Sequence, residues 1–207
     1  MAASKYSDNV FINCPFDKEF DDIFHAMTFA LFDCGFVARC AREESDGTEV
    51  RIEKIIKIIR ESKFGVHDIS RTELSPETKL PRFNMPLELG LFIGAKRYGA
   101  ARQKQKACLI TDKSKFRYFK FMSDINGQDV EAHGNSVPES IKLVANWLRN
   151  ASRRKSIPGG FEIARRHTLF SKELPKMCVK SKIKVAELGF NDYVGYVSEW
   201  IRQNPTL

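Results

Sequence analysis

Apolar and polar residues follow two different periods along this chain. Short apolar runs typical of buried strands occupy residues 9–13, 36–40, 64–70, 106–111 and, more weakly, 129–133. Between these runs, apolar residues recur every three to four positions. This spacing predicts helices at 17–35, 49–62, 83–99 and 137–153, with a further helical stretch at 115–125. Strand and helix therefore alternate up to about residue 150.

Such alternation predicts an α/β fold, with a mainly parallel sheet and helices on both of its faces. We expect an α/β domain over residues 1–150. The segment 152–160, "SRRKSIPGG", has the composition of a linker. Residues 151–207 then form a C-terminal helical extension, whose last helix covers 192–203.

The composition fits a chain with a substantial buried core. It has 207 residues, of which 43% are hydrophobic, and 16 are Phe. No segment is long and apolar enough to span a membrane, and the first ten residues lack the apolar stretch of a signal peptide. The five cysteines form no CxxC pair, and the four histidines show no metal-ligand spacing. We therefore expect a cytoplasmic protein without a metal site.

The net charge of +8 is concentrated in the second half of the chain. Residues 1–100 carry 14 basic and 16 acidic side chains, whereas residues 101–207 carry 20 basic and 10 acidic ones. This asymmetry fits a solvated basic surface, an anionic ligand, an acidic partner or a nucleic-acid face. The basic residues form no known nucleic-acid motif, so a nucleic-acid partner is not expected.

Polar side chains follow the ends of the predicted strands. In an open parallel sheet, ligands bind outside the carboxyl ends of the strands. This rule selects residues on the loops that follow the first three strands: Asn13, Phe16, Asp17, Arg39, Asp68 and Ser70. The start of the helix at 83–99 lies on the same rim, which adds Arg82, Asn84 and Glu88.

Glu88 is a carboxylate among Met85, Leu89 and Phe92 on an apolar helix. One explanation is structural: an acid in a first helical turn complements the helix dipole, worth roughly 0.3–1 kcal/mol. A capping box is excluded, because Met85 stands where Ser or Thr is needed. The other explanation is functional, with a desolvated carboxylate facing a ligand in a cleft. Spacing alone leaves both open.

The sequence gives little evidence for other kinds of functional site. The chain has neither a GxGxxG nor a GxxxxGK[ST] motif, so it lacks the standard dinucleotide and phosphate-loop fingerprints. Cys14 follows the first strand, where it is a small apolar filler or a nucleophile. The segment 123–134 is rich in polar groups, which a turn at Asn126–Gly127 or a contribution to the ligand site would explain.

Three stretches resemble TIR domains when taken in order. "DNVFINCPFD" resembles their first strand and loop, "RIEKIIKIIRESKFGVHDIS" their second helix and third strand, and "MPLELG" the helix with the catalytic Glu-Leu pair. The resemblance covers residues 8 to 112. "DIS…NMPLELGLFIGAKRYG" is also similar to nucleoside 2-deoxyribosyltransferases. Both families have a flavodoxin-like fold and act on N-glycosidic bonds.

The resemblance implies that Glu88 is a catalytic residue that cleaves the nicotinamide–ribose bond of NAD. NAD is then the substrate, and no cofactor is implied. By position, Phe16 would stack on a ring, Arg39 and Arg82 would face phosphates, and other rim residues would hold ribose hydroxyls: Asn13, Asp17, Asp68, Ser70 and Asn84. The products would be nicotinamide and ADP-ribose, or a cyclic or conjugated ADP-ribose signal in antiphage defence.

The resemblance also implies a homo-oligomer and a downstream effector protein. The basic C-terminal half and Pro86 just before the Glu-Leu pair depart from the TIR pattern. Two alternatives remain open. One is a nucleoside or nucleotide N-glycosidase or deoxyribosyltransferase that uses Glu88 as a nucleophile. The other is a non-catalytic TIR assembly module.

Overall fold

The computed structural model of the chain describes residues 4–43, 46–74 and 79–205. Parts of the loops that follow the second and third strands lie outside these ranges. Within the described ranges, five parallel strands form one sheet: β1 (Asn9–Asn13), β2 (Val37–Arg39), β3 (Phe64–Asp68), β4 (Ala107–Asp112) and β5 (Val130–Ala132). Their order across the sheet is β2-β1-β3-β4-β5. The predicted α/β, flavodoxin-like fold with C-terminal helices is confirmed.

In the part of the chain that the structure describes, six α-helices accompany the sheet: α1 (Asp21–Asp33), α2 (Arg51–Glu61), α3 (Asn84–Tyr98), α4 (Val137–Ser152), α5 (Gly160–Ser181) and α6 (Phe190–Gln203). Helices α1 and α4 cover one face of the sheet, and α2 and α3 cover the other. The predicted helix at 115–125 is wrong. It is replaced by two short 3-10 turns, Arg117–Lys120 and Ser123–Ile125, and Phe116 before them has a left-handed backbone with φ of 60°.

Side-chain alternation along β1 and β3 decides which residues meet on each face. Val10 and Ile12 point into the α1 side of the sheet, whereas Phe11 points to the α2–α3 side. Because Phe11 and Asn13 are two residues apart, the side chain of Asn13 also lies on the α2–α3 side. His67 pairs with Asn13 across the strands and shares that side, where its ring contacts Phe11 and Phe92. Asp68, one residue later, faces the opposite side.

The C-terminal helices pack onto α1, most of whose residues are buried. Phe29 of α1 stacks on Phe170 of α5 at 5.2 Å and contacts Trp200 of α6 at 5.8 Å, measured between ring centroids. The guanidinium of Arg166 on α5 forms a buried ion pair with Asp33 at the end of α1, at 2.8 Å. The helices α5 and α6 therefore share one hydrophobic core with α1 and α4.

Candidate functional site

A cavity of about 210 Å³ opens where β1 ends and where α2 and α3 begin. It lies beside the point where the strand order reverses, between β1 and β3, which is where ligands bind in folds of this kind. Nine of the described residues line it: Asn13, Cys14, Pro15, Phe16, Arg51, Arg82, Asn84, Met85 and Glu88. Five of these, Asn13, Phe16, Arg82, Asn84 and Glu88, are among the residues that the sequence selects.

Glu88 is the buried carboxylate of this cavity. The residue is only 5% exposed, and no described residue gives its carboxylate a hydrogen bond. Burial therefore raises the pKa of Glu88 to about 7, and the positive charge of Arg51 opposes that rise. Glu88 is the fifth residue of α3, and the first turn of that helix holds no acid. The explanation by a first-turn acid is therefore wrong, because the carboxylate lies past the turn where the dipole acts.

Asn13 connects the end of β1 to the start of the helix that carries Glu88. Its amide Nδ2 donates to the backbone oxygen of Met85 at 2.8 Å and to Nδ1 of His67 at 3.1 Å. Burial lowers the pKa of His67 to about 3, with Lys106 adding to the effect, so this imidazole is neutral and accepts through Nδ1. Asn13 therefore fixes the first turn of α3, and with it the position of Glu88.

Gly65 allows the His67 ring to sit against the sheet. A Cβ at this position would lie 2.7 Å from Nε2 of His67 and 2.9 Å from the Phe92 ring. Both distances are shorter than atoms tolerate, so any larger residue would push His67 and α3 outward. The position of the His67 ring, which accepts a hydrogen bond from Asn13, therefore depends on Gly65, two residues earlier in β3.

Phe16 forms an aromatic wall of the cavity and is held on two sides. The guanidinium of Arg42 lies 4.6 Å from the centre of the Phe16 ring, and its NH2 group donates to the Phe16 backbone oxygen at 2.9 Å. The ring of Phe24 packs against Phe16 edge-on, at 5.3 Å between centroids. Phe16 is therefore a fixed surface for a planar ligand group rather than a mobile side chain.

Arg51 is a cavity residue that the sequence reasoning missed. It is the first residue of α2 and is exposed at the mouth of the cavity. The rule that ligands bind outside the carboxyl ends of the strands could have found it, because α2 follows β2 and therefore begins at the same edge of the sheet as α3. Cys14 also lines the cavity, but burial raises the pKa of its thiol well above the usual range. That thiol stays protonated at neutral pH, which favours the apolar-filler explanation.

Asp17 and Arg82 lie together, but Asp17 does not line the Glu88 cavity. Instead it lines a neighbouring cavity of about 500 Å³. The NH1 group of Arg82 donates to Asp17 at 3.4 Å, and Arg82 lines both cavities. Arg82 is thus placed where a ligand phosphate could reach it. Asp17 lies outside the Glu88 cavity, where the ribose is expected.

Asp68 and Ser70 lie in a separate buried cluster. The Asp68 carboxylate accepts hydrogen bonds from the Ser70 hydroxyl, from Thr111 Oγ1 at 2.7 Å and from His133 Nε2 at 3.0 Å. His133 Nδ1 accepts from the backbone of Asn135, so Nε2 carries the proton. This cluster joins β3, β4 and the loop after β5. The polar segment 123–134 thus contributes a structural histidine to the fold.

Arg39 also lies away from the cavity. Its guanidinium forms ion pairs with Glu43, at 2.6 Å, and with Glu61, at 3.2 Å. These two carboxylates account for its charge, so Arg39 fixes the loop after β2 against the end of α2. Arg51 is the arginine that the structure brings to the cavity at this side.

The chain was compared with known protein families, with curated proteins and with solved structures, and no significant match was found in any of the three. Across residues 4–43, 46–74 and 79–205, no helix combines the length and apolar composition needed to cross a bilayer. In the same ranges, no three His, Cys, Asp or Glu side chains are grouped so as to hold a metal ion.

Proposed function

We propose that this protein cleaves the N-glycosidic bond between nicotinamide and ribose in NAD, with Glu88 as the catalytic carboxylate. The observation that carries the proposal is a buried glutamate that forms no hydrogen bond or ion pair with any described residue, in a cavity beside the point where the strand order reverses. The ordered resemblance of residues 8 to 112 to TIR domains supports the same chemistry.

The reaction needs one negative charge beside the sugar. When the bond between C1′ of ribose and the nicotinamide nitrogen breaks, its electron pair leaves with nicotinamide, which departs as a neutral molecule. Positive charge then develops on the ribose, as in glycoside hydrolysis. The ionised carboxylate of Glu88 stabilises that charge more in the transition state than in the ground state. Water adds to C1′ and releases a proton, which gives ADP-ribose.

The other cavity residues have roles that suit this substrate. Phe16 offers a fixed aromatic surface on which the nicotinamide ring would stack. Arg51 and Arg82 carry the positive charge that a phosphate group needs. Asn84 presents its amide to the ribose hydroxyls, whereas both N–H groups of the Asn13 amide are used by Met85 and His67, which leaves only its oxygen for a ligand. NAD acts here as substrate, and this reaction needs no metal or cofactor.

The biological setting is part of the same proposal. By its resemblance to short TIR proteins, the chain would act in the cytoplasm, in antiphage defence, as a homo-oligomer that signals to an effector protein. An internal hydroxyl or another nucleophile could replace water at C1′, which would yield a cyclic or conjugated ADP-ribose. The products therefore decide between consumption of NAD and production of a signal.

The test is incubation of concentrated protein with NAD, followed by chromatography and mass measurement of the products. Nicotinamide release is expected from the wild type and is expected to fall at least 100-fold in Glu88→Gln, in line with loss of one transition-state charge interaction of about 3 kcal/mol. Glu53→Gln, an exposed acid on α2, serves as the matched control and should retain full activity.

Other outcomes of this assay point to the alternatives. Base exchange on a panel of nucleosides, without loss of NAD, would indicate a deoxyribosyltransferase or N-glycosidase. A trapped sugar–Glu88 adduct would support the nucleophile role. No reaction with any of these substrates, alone or with extract from infected cells, would leave the assembly module as the better account.

A further inference from the structure

A larger cavity adjoins the Glu88 cavity and shares Arg82 with it. Its volume is about 500 Å³, and it is lined by Asp17, Lys18, Glu19, Arg71, Glu73, Leu74, Arg82 and Lys113. Seven of these eight side chains are charged, four of them positively. A cavity this polar suits an ionic ligand group rather than an apolar one.

The carboxylate of Asp17 bridges two of the arginines. Its Oδ1 faces NH2 of Arg71 and its Oδ2 faces NH1 of Arg82, each at 3.4 Å. These distances exceed the 2.7–2.9 Å of a strong charge-assisted hydrogen bond, so both pairs are loose. One anion thus holds two guanidiniums from different parts of the β3–α3 loop, with one oxygen for each.

The two sides of this bridge differ in mobility. Asp17 Oδ1 also accepts from the backbone N–H of Phe20, at 3.2 Å, which fixes the carboxylate in the turn before α1. The arginine side chains are 33% and 55% exposed, for Arg71 and Arg82 respectively, and have several rotatable bonds. The arginines can therefore turn toward the cavity while Asp17 stays in position.

We propose that the larger cavity binds a diphosphate group, and that Asp17 holds Arg71 and Arg82 until the diphosphate replaces it as their partner. A diphosphate carries more charge than a carboxylate and offers oxygens to both guanidiniums at once. Lys18 and Lys113 supply further positive charge to the same cavity. The remaining acids pair with cations of the same cavity, Glu19 with Arg71, and Glu73 with Lys113 and Arg117. Both carboxylates are exposed, so these pairs are weak and a diphosphate competes with them as it does with Asp17.

The position of Arg82 connects this subsite to the chemistry. Because Arg82 lines both cavities, a diphosphate bound to it lies next to the sugar position beside Glu88. The ligand class is therefore a nucleoside diphosphate or one of its esters, rather than an unphosphorylated nucleoside. The link to a sugar beside Glu88 rests on the proposed function, whereas the diphosphate subsite itself can be tested without any turnover.

The experiment is isothermal titration of the full chain with three probes: ADP, inorganic pyrophosphate and adenosine. ADP and pyrophosphate should bind, and adenosine should bind at least about tenfold more weakly than ADP. Arg71→Gln and Arg82→Gln should each weaken ADP binding by about tenfold. Asp17→Asn should tighten it by about two- to fivefold, because a competing and partly exposed ion pair is lost. The Asn side-chain oxygen can still accept from Phe20, so the turn is retained.

One variant serves as the control. Arg165→Gln removes an exposed, ion-paired arginine on α5 that lines neither cavity, and should leave ADP binding unchanged. Equal affinities for adenosine and ADP, no effect of the arginine substitutions, or weaker ADP binding in Asp17→Asn would each overturn the proposal. The proposed function fails separately, if ADP binds as expected but NAD is not cleaved.

Discussion

Glu88 has opposite consequences for stability and for catalysis. Burial raises its pKa to about 7 in the folded protein, above its usual value of 4.5. Between these two values the folded state binds more protons than the unfolded state, so the free energy of unfolding falls as pH rises. Above pH 7 the full penalty is present, and it amounts to roughly 3 kcal/mol. The same desolvation leaves the carboxylate available to a developing sugar cation.

Glu88→Gln should therefore stabilise the protein at pH 8 and lose activity at the same time. Urea unfolding should give wild-type stability that declines between pH 5 and pH 8, and a variant whose stability changes much less over that range. At pH 8 the variant should be more stable by up to about 3 kcal/mol. A variant that is less stable than the wild type at pH 8 would show that the carboxylate is satisfied in the fold.

Asn13 offers a second test at the residue scale, and Asn9 is its matched control. Both are buried on β1, and both donate a side-chain hydrogen bond to a backbone oxygen, of Met85 and of Glu61 respectively. Each substitution to Ala should lower stability by about 1–3 kcal/mol. Only Asn13→Ala should also lower kcat for nicotinamide release, by about tenfold or more, because only Asn13 positions the Glu88 helix. Equal kcat values in the two variants would contradict that role.

At the residue scale, the sequence located the side chains at the carboxyl ends of the strands, but not the face of the sheet to which each one points. Asn13 and Asp68 both end strands, yet alternation sends Asn13 toward Glu88 and Asp68 toward the other face of the sheet. The partners of Asp68 come from Thr111 and His133, more than 40 residues away. Such long-range hydrogen bonds leave no local pattern, so the sequence could not separate a ligand residue from a structural one.

At the scale of elements, the buried ion pair between Asp33 and Arg166 fixes α5 on α1. Arg166 makes bidentate contact with Asp33 and also donates to the backbone oxygen of Asn204, at 2.7 Å. Arg166→Ala leaves an unpaired buried carboxylate and should cost about 3–5 kcal/mol of stability. The neighbouring Arg165 is exposed and pairs with Glu162 on the same helix.

Arg165→Ala is the matched control for this prediction, and it should change stability by less than about 0.5 kcal/mol. Thermal or urea unfolding of the two variants measures the difference directly. Similar losses in both would mean that the buried pair contributes no more than a surface pair.

Most helices and strands could be predicted because their apolar residues recur at regular spacing. The prediction was wrong where the backbone conformation of one residue interrupts a helix that this spacing indicates. In "KFRYFKFMSDI" apolar residues recur at helical spacing, but the backbone of Phe116 has a left-handed conformation. In addition, Nε of Arg117 donates a hydrogen bond to Asp112 Oδ1 at 2.8 Å. Arg117 also donates to the Ile69 backbone oxygen. These contacts to β4 and to the residue that follows β3 favour two short turns over a helix, and the spacing of apolar residues does not reveal them.

For the whole molecule, the main question is whether the C-terminal helices are part of the core. The outer side of α1 is buried under α5 and α6, through Phe29, Phe170 and Trp200. A chain that ends at residue 158 would expose this aromatic surface to water. We expect it to aggregate or to bind a hydrophobic dye, and we expect the full chain to do neither. A truncated chain that unfolds cooperatively at the same urea concentration would show that the extension folds separately.

The pH dependence of nicotinamide release from NAD tests the central claim most directly. If the ionised carboxylate of Glu88 stabilises the sugar cation, kcat/KM of the wild type should rise tenfold per pH unit below about 7 and level off above it. The residual kcat/KM of Glu88→Gln should not show this rise with pH. A wild-type profile that is flat between pH 5 and pH 8, or a variant that keeps both the rate and the profile, would contradict the account.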